Sequence, residues 1–177
     1  VSDLILVKPV ALKMFNINAK DSEKYFQEVQ DKLLEETDYQ LELEQSEAIA
    51  QSCAGLENVR FPKYYRSLSS DRILTMDWME GQHIQTFAKA HRGTELAHRV
   101  GQSLWDFYMY QMHLLKKVHA DQHPGNFVVD AENRLVPIDF GCMKQVPENF
   151  YTPYFALATA EAQNDLRLFD ALLWDLE

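Results

Sequence analysis

Two aspartates bracket a short stretch in the C-terminal half of this chain, and their spacing leaves few folds open. His119-Ala-Asp-Gln-His-Pro-Gly-Asn126 is followed by Phe127-Val-Val129, a polar Asp130-Ala-Glu-Asn133, Leu135-Val-Pro-Ile138 and then Asp139-Phe-Gly141. Apolar runs on either side of a turn-forming segment are the pattern of a β-hairpin. Such a hairpin holds Asn126 at the start of one strand and Asp139 at the end of the other, so that both face one cleft. With Asp121 just upstream, three hard oxygen donors converge.

Phosphoryl transfer asks a protein for little covalent chemistry. It needs a carboxylate at the attacking hydroxyl, a second carboxylate on Mg²⁺ and an amide oxygen that shares the metal. Asp121, Asp139 and Asn126 are those groups in that order. His119 stands where a kinase catalytic loop carries its histidine, which points to support of the loop and not to proton transfer. Read as structure alone, the same residues make an ordinary turn, with Pro124 presetting φ and Gly125 taking φ > 0. A third reading takes His119, Asp121 and His123 as the metal ligands of a hydrolase, but leaves Pro124-Gly125-Asn126 and Asp-Phe-Gly without a purpose.

The rest of the chain bounds these readings. Its 177 residues suffice for a core, and 46% hydrophobic with 25% charged residues is globular composition. Seventeen Lys+Arg against 27 Asp+Glu give a net charge of −10, which argues against a nucleic-acid or anionic-membrane surface. Cys53 and Cys142 form no C-x-x-C or zinc spacing, consistent with a reducing, cytoplasmic setting. No apolar run approaches a membrane span and no signal peptide is evident. Val1 in place of an initiator Met suggests an excised or processed segment. No glycine precedes Gly55, so a glycine-rich phosphate loop is not expected in the N-terminal region.

Periodicity predicts an α+β domain with a cleft between two layers. Asp3 to Phe15 reads as helix or linker. A long helix is predicted from Ser22 to about Gln51, then two strands, Phe61–Tyr65 and Arg72–Trp78, joined by Ser67 to Asp71. Further helices are predicted over Glu95–Val118 and Tyr151–Leu176. Glu80-Gly81 stops the second strand, and Met76 to Met79 becomes a hinge whose Asp77 carbonyl and Met79 amide would meet adenine.

The long helix is unusual in its charge. Between Lys32 and Arg60 lie seven acids and no base: Glu35, Glu36, Asp38, Glu42, Glu44, Glu47 and Glu57. Like charges at i,i+4, such as Asp38 and Glu42, repel by a few tenths of a kcal/mol. An acidic solvated face would explain this, and so would carboxylates that wait for a cation supplied from elsewhere.

Taken together, Glu36-Thr-Asp38-Tyr-Gln-Leu-Glu42, His119-Ala-Asp-x-His-Pro-Gly-Asn126 and Asp139-Phe-Gly141 resemble the UbiB/AarF (ABC-one/ADCK) family of atypical protein-kinase-like proteins, from Ser22 to about Phe155. The resemblance implies a protein-kinase-like fold, with residues 1–79 a partial N-lobe and 80–177 a mostly helical C-lobe carrying the catalytic hairpin. It makes Glu36 and Asp38 the family's Glu-x-Asp signature, restraining chemistry at the nucleotide, and Glu42 the glutamate that pairs the β3 lysine. It further implies ATP and Mg²⁺ as ligands, ATPase activity more readily than protein phosphorylation, and a link to isoprenoid-quinone biosynthesis. Quinone-precursor lipids or quinone-biosynthesis proteins would then be partners, with any membrane attachment supplied from outside this chain. The family's Lys-x-Gly-Gln segment, Ala-rich phosphate loop and β3 lysine have no counterpart here. Val10-Ala-Leu-Lys13 imitates the lysine signature but is read as linker, and Gln122 stands where a proline is usual. The segment alone is therefore expected to be inactive. The alternatives are a phosphotransferase of the aminoglycoside or choline kinase type, which has no use for Glu36-x-Asp38, and a non-catalytic kinase-like binding module.

Overall fold

The computed structural model describes residues 37–176 together with Gln27, which is helical. Lys13, Glu36 and the predicted elements before Thr37 lie outside the described residues. Helix α1, Tyr39–Ser52, starts where Asp38 caps it: the carboxylate accepts from the Gln40 and Leu41 amides, both at 3.1 Å. Two of the amides that a helix start leaves unpaired are satisfied this way. Leu43, Ser46 and Ile49 repeat every three residues along the buried face, and the remaining positions carry the acids.

The two predicted strands that follow do not form a ladder. Phe61–Tyr65 and Arg72–Trp78 run antiparallel but meet at a single bridge, Tyr64 with Met76. The Tyr65 amide donates to the Thr75 carbonyl and the Asp77 amide to the Lys63 carbonyl, both at 2.9 Å. Their connection contains a 3₁₀ turn, Arg66–Leu68, and a second bridge, Ser70 with Ile73. Pro62 has no amide to give, and a two-stranded ribbon without further partners among the described residues is marginal as a sheet.

Beyond the ribbon come β1 (Gln82–His83), α2 (Ile84–Ala90) and α3 (Glu95–Tyr110). The helix predicted to reach Val118 stops earlier. A π-helical turn, Gln111–Leu115, ends in Lys116 at φ 51°, and Lys117–His119 is already a strand, β2. Apolar residues continue at helical spacing through this stretch, but the left-handed Lys116 redirects the chain onto β5 (Met143–Gln145), with Val118 opposite Lys144. Strands β3 (Phe127–Val129) and β4 (Leu135–Pro137) form the predicted hairpin, with Val128 opposite Val136.

The hairpin turn is organised from below by Asp130, which is buried. Its carboxylate accepts from the Glu132 and Arg134 amides and from the Arg134 guanidinium, and Asn133 takes φ 62°. Strand β1 joins β3 on its other edge, giving an antiparallel sheet in the order β1-β3-β4. Gly81 is required there, because a Cβ would lie 2.3 Å from the Val129 carbonyl oxygen.

The predicted C-terminal helix divides into α4 (Glu148–Ala156), α5 (Ala160–Asn164) and α6 (Leu166–Trp174), the last two capped by Thr159 and Asp165. Caps inside an apolar-periodic stretch start new helices at the expense of the old one. The core joins Ile49 of α1 and Phe107 of α3 to Val129, Leu135 and Phe140 around the hairpin. Helices and small antiparallel sheets share it, so the class is α+β.

Candidate active site

Strand β2 enters the catalytic loop and β5 leaves the Asp-Phe-Gly segment, so pairing these strands brings the two motifs side by side. The Ala120 amide donates to the Cys142 carbonyl at 2.8 Å. At the hairpin base the Ile138 amide donates to the Asn126 carbonyl at 3.0 Å. Asn126 and Asp139 are thus adjacent because of strand register, as the hairpin predicts.

Within the loop, Asp121 is exposed and organises its neighbours. One carboxylate oxygen accepts from the His123 amide at 3.2 Å and the other from Asn126 Nδ2 at 3.1 Å. That bond fixes the Asn126 side chain with its amide nitrogen on Asp121, leaving its oxygen as the free acceptor. Pro124–Asn126 is a 3₁₀ turn in which Gly125 donates to His123 Nδ1 at 3.0 Å. Gly125 does not take the positive φ an ordinary turn would ask of it, since Gly93 is the one positive-φ glycine among the described residues. Glycine is needed for space: a Cβ would lie 2.8 Å from the His123 ring.

His119 is 2% exposed, its ring edge-on to Phe127 and Phe140. Burial lowers its pKa, opposed by the charges of Asp139 and Asp121. A neutral imidazole walled in by two phenyl rings supports the loop and has no access to a substrate proton. The hydrolase reading fails here, because His123 Nδ1 is occupied by Gly125 and, among the described residues, no three His, Cys, Asp or Glu side chains gather as a metal cage.

Asp139 accepts from the Gly141 amide at 2.9 Å and faces a cavity of 510 Å³. The catalytic loop contributes Asp121, the ribbon Leu74 and Met76, and α1 contributes Glu42. Glu42 reaches the Asp-Phe-Gly backbone: a Cβ on Gly141 would lie 3.7 Å from its carboxylate. Its pKa is pushed up to about 7, first by burial and then by the negative charge of Asp139. No lysine or arginine lines this cavity among the described residues. Tyr64, at the same place in the fold, has its phenol pushed up to about 12, mainly by burial.

Other acids of α1 do find a cation. Arg66, from the turn of the ribbon, bonds Glu47 at 2.5 Å and lies 4.0 Å from Glu44. Asp38 spends its carboxylate on the helix cap. In the hinge segment the Asp77 side chain accepts from the Tyr65 hydroxyl at 2.8 Å and the Lys63 amide at 3.3 Å. The ribbon reaches the cavity through Leu74 and Met76, and neither Asp77 nor Met79 is among the residues that line it. Sequence reasoning passed over Leu74, although its i,i+2 relation to Met76 puts both on one face of an extended segment.

The profile of the ABC1 atypical kinase-like domain matches residues 2–171 of this chain. Protein ACTIVITY OF BC1 COMPLEX KINASE 8, chloroplastic, of Arabidopsis thaliana is 33% identical over 119 residues, 66% of this chain and 16% of that protein. AarF domain-containing protein kinase 1 of Gallus gallus is 26% identical over 137 residues, 75% of this chain and 26% of that protein. The chain therefore spans about a sixth to a quarter of the length of these relatives. Among solved structures, Rv3197 of Mycobacterium tuberculosis, in complex with erythromycin, superposes with a TM-score of 0.68 at 23% identity, over 99% of this chain and 44% of that one. That likeness establishes a kinase-like fold.

Proposed function

This chain belongs to the ABC1 atypical kinase-like family, the UbiB/AarF group its motifs resemble, and from that premise we propose that it forms the metal-binding part of an ATP site in a complete kinase or ATPase. The observation that carries this reading is that Asp121 and Asp139 line one cavity, with Asn126 bonded to the Asp121 carboxylate and tied to the strand before Asp139 through its carbonyl. The donor set suits Mg²⁺: one carboxylate oxygen of Asp139 and the oxygen of Asn126 are hard ligands. Mg²⁺ is ordinarily held by one or two carboxylates plus substrate phosphates instead of a protein cage. Bound there, Mg²⁺ would neutralise charge on the nucleotide phosphates. Asp121, exposed and beside Asn126, orients an attacking hydroxyl or water. Asp77 C=O and Met79 N–H take adenine, with Leu74 and Met76 against the base.

Glu42 is the partner of a lysine from elsewhere in the complete protein, and its raised pKa supports that reading. Glu36 and Asp38 restrain the nucleotide side, Asp38 through its hold on the start of α1. Among the described residues no Lys or Arg lines this acidic cavity, and the segment by itself is proposed not to turn over. The family link extends the proposal to isoprenoid-quinone biosynthesis, with quinone-precursor lipids or quinone-biosynthesis proteins as partners. A cytoplasmic site, peripheral to the inner membrane, belongs to the same proposal; among the described residues no helix is long and apolar enough to cross a membrane.

The test is calorimetric titration of the full-length protein with ATP, with and without Mg²⁺. Asp139→Asn should abolish the Mg²⁺-dependent part of binding. Retention of the full Mg²⁺ dependence in that variant would refute the assignment.

A further inference from the structure

Gln111 sits at the start of the π-helical turn, is 0% exposed, and was not singled out by any motif. Its side-chain oxygen accepts from the His119 amide at 2.9 Å, and its Nε2 donates to the Phe107 carbonyl at 3.2 Å. The first of these bonds follows from strand geometry. Around β2, Ala120 donates to Cys142 and Val146 donates to Lys116 across the β2–β5 pair. Alternation along a strand then turns the His119 amide away from β5, toward the side where β2 has no neighbouring strand among the described residues. His119 is buried, so that outward amide cannot reach water and needs a partner. The Gln111 carboxamide supplies it, standing in for a third strand with one side chain.

We infer that Gln111 is a positioning residue for the catalytic loop, clamping the end of α3 to the strand two residues before Asp121. This rests on the kinase or ATPase reading only for its kinetic consequence; the clamp itself is geometric. Among the described residues, Asp121 receives its side-chain bonds from within the loop, from His123 and Asn126. The place of the loop as a whole is set by His119, through Gln111 on one side and the Phe140 ring on the other. A π-turn is what brings Gln111 into register: π-bulges often mark functional positions in helices, and here the wider turn precedes the left-handed Lys116 that launches β2.

The experiment uses the full-length protein and Gln111→Met, which keeps length and apolar bulk but neither hydrogen bond, together with Gln111→Glu, which keeps an oxygen for the His119 amide. Amide hydrogen exchange is read at residues 119–126 and in the β3–β4 hairpin, and turnover of MgATP is measured in parallel. Gln111→Met should raise exchange at His119 to Asp121 roughly tenfold or more while leaving the hairpin protected, a local opening and not a global one. It should lower kcat by about tenfold or more with KM for MgATP changed less than about threefold, because a loop displaced by a fraction of an ångström misplaces the base without removing nucleotide contacts. Gln111→Glu should retain protection at His119 and fall between the two in kcat. Exchange that rises equally in the hairpin, or an unchanged kcat and loop in Gln111→Met, overturns the clamp. If Gln111→Met fails to fold, the Gln111→Glu arm decides by the same two readouts. Absence of MgATP turnover in the wild type would count against the kinase or ATPase reading, while the exchange arm still tests the clamp.

Discussion

Replacing Glu42 by Gln removes a charge that this cavity disfavours, and the consequence can be worked out in advance. The native-state pKa of about 7 exceeds the ordinary 4.5 because of burial and the nearby Asp139 charge. At 1.36 kcal/mol per pKa unit, that difference corresponds to about 3 kcal/mol. The side chain is only partly buried, and solvent screening of such a group leaves roughly 1–2 kcal/mol as the realistic penalty. The sign follows from proton binding. Between pH 4.5 and 7 the native state holds more protons on this group than the unfolded chain does, so its contribution to stability falls as pH rises through that window and is flat above it.

Glu42→Gln should therefore be close to neutral at pH 4 and stabilising by about 1–2 kcal/mol at pH 8, or roughly 2–8 °C in Tm for a domain of this size. Thermal or urea melts of this 177-residue segment, wild type and variant, from pH 4 to 9 measure it. The pH-dependent difference between the two proteins is the diagnostic quantity, because other titrating groups cancel. Equal shifts at pH 4 and pH 8, or a loss of stability at pH 8, would refute the claim that Glu42 is a carboxylate crowded against Asp139 with no cation beside it among the described residues. MgATP should shrink the difference if a cation in the cavity relieves the same repulsion.

Two further outcomes follow from the site and the fold. Asp121→Asn should abolish turnover in the full-length protein while His119→Leu retains a measurable part of it with reduced stability, since the His119 ring is buried and neutral; the reverse pattern in steady-state assays would exchange their roles. Gly81→Ala should destabilise by about 2–3 kcal/mol in denaturant melts, because its Cβ would meet backbone at 2.3 Å and β1 must move off β3 to make room.

What the sequence determined by itself was local. The β3–β4 hairpin was legible because turn chemistry and period-2 apolar runs are written in consecutive residues, and the hairpin in turn fixed Asn126 beside Asp139. Membership in the family was legible for the same reason, since its motifs are short and ordered. The acidity of α1 was visible too, but not its division of labour. Asp38 as cap, Glu44 and Glu47 on Arg66, and Glu42 against Asp139 depend on which element packs over which face.

The ribbon of Phe61 to Trp78 fell short of a sheet, and the helix predicted to reach Val118 ended at a π-turn, because strand and helix limits are set by available partners as much as by propensity. Gln111 shows the difference most plainly. In the sequence it is one polar residue in an apolar stretch, while in the fold it faces the single outward amide that β2 buries. Desolvation makes that bond obligatory, and desolvation exists only once the tertiary structure has closed around it.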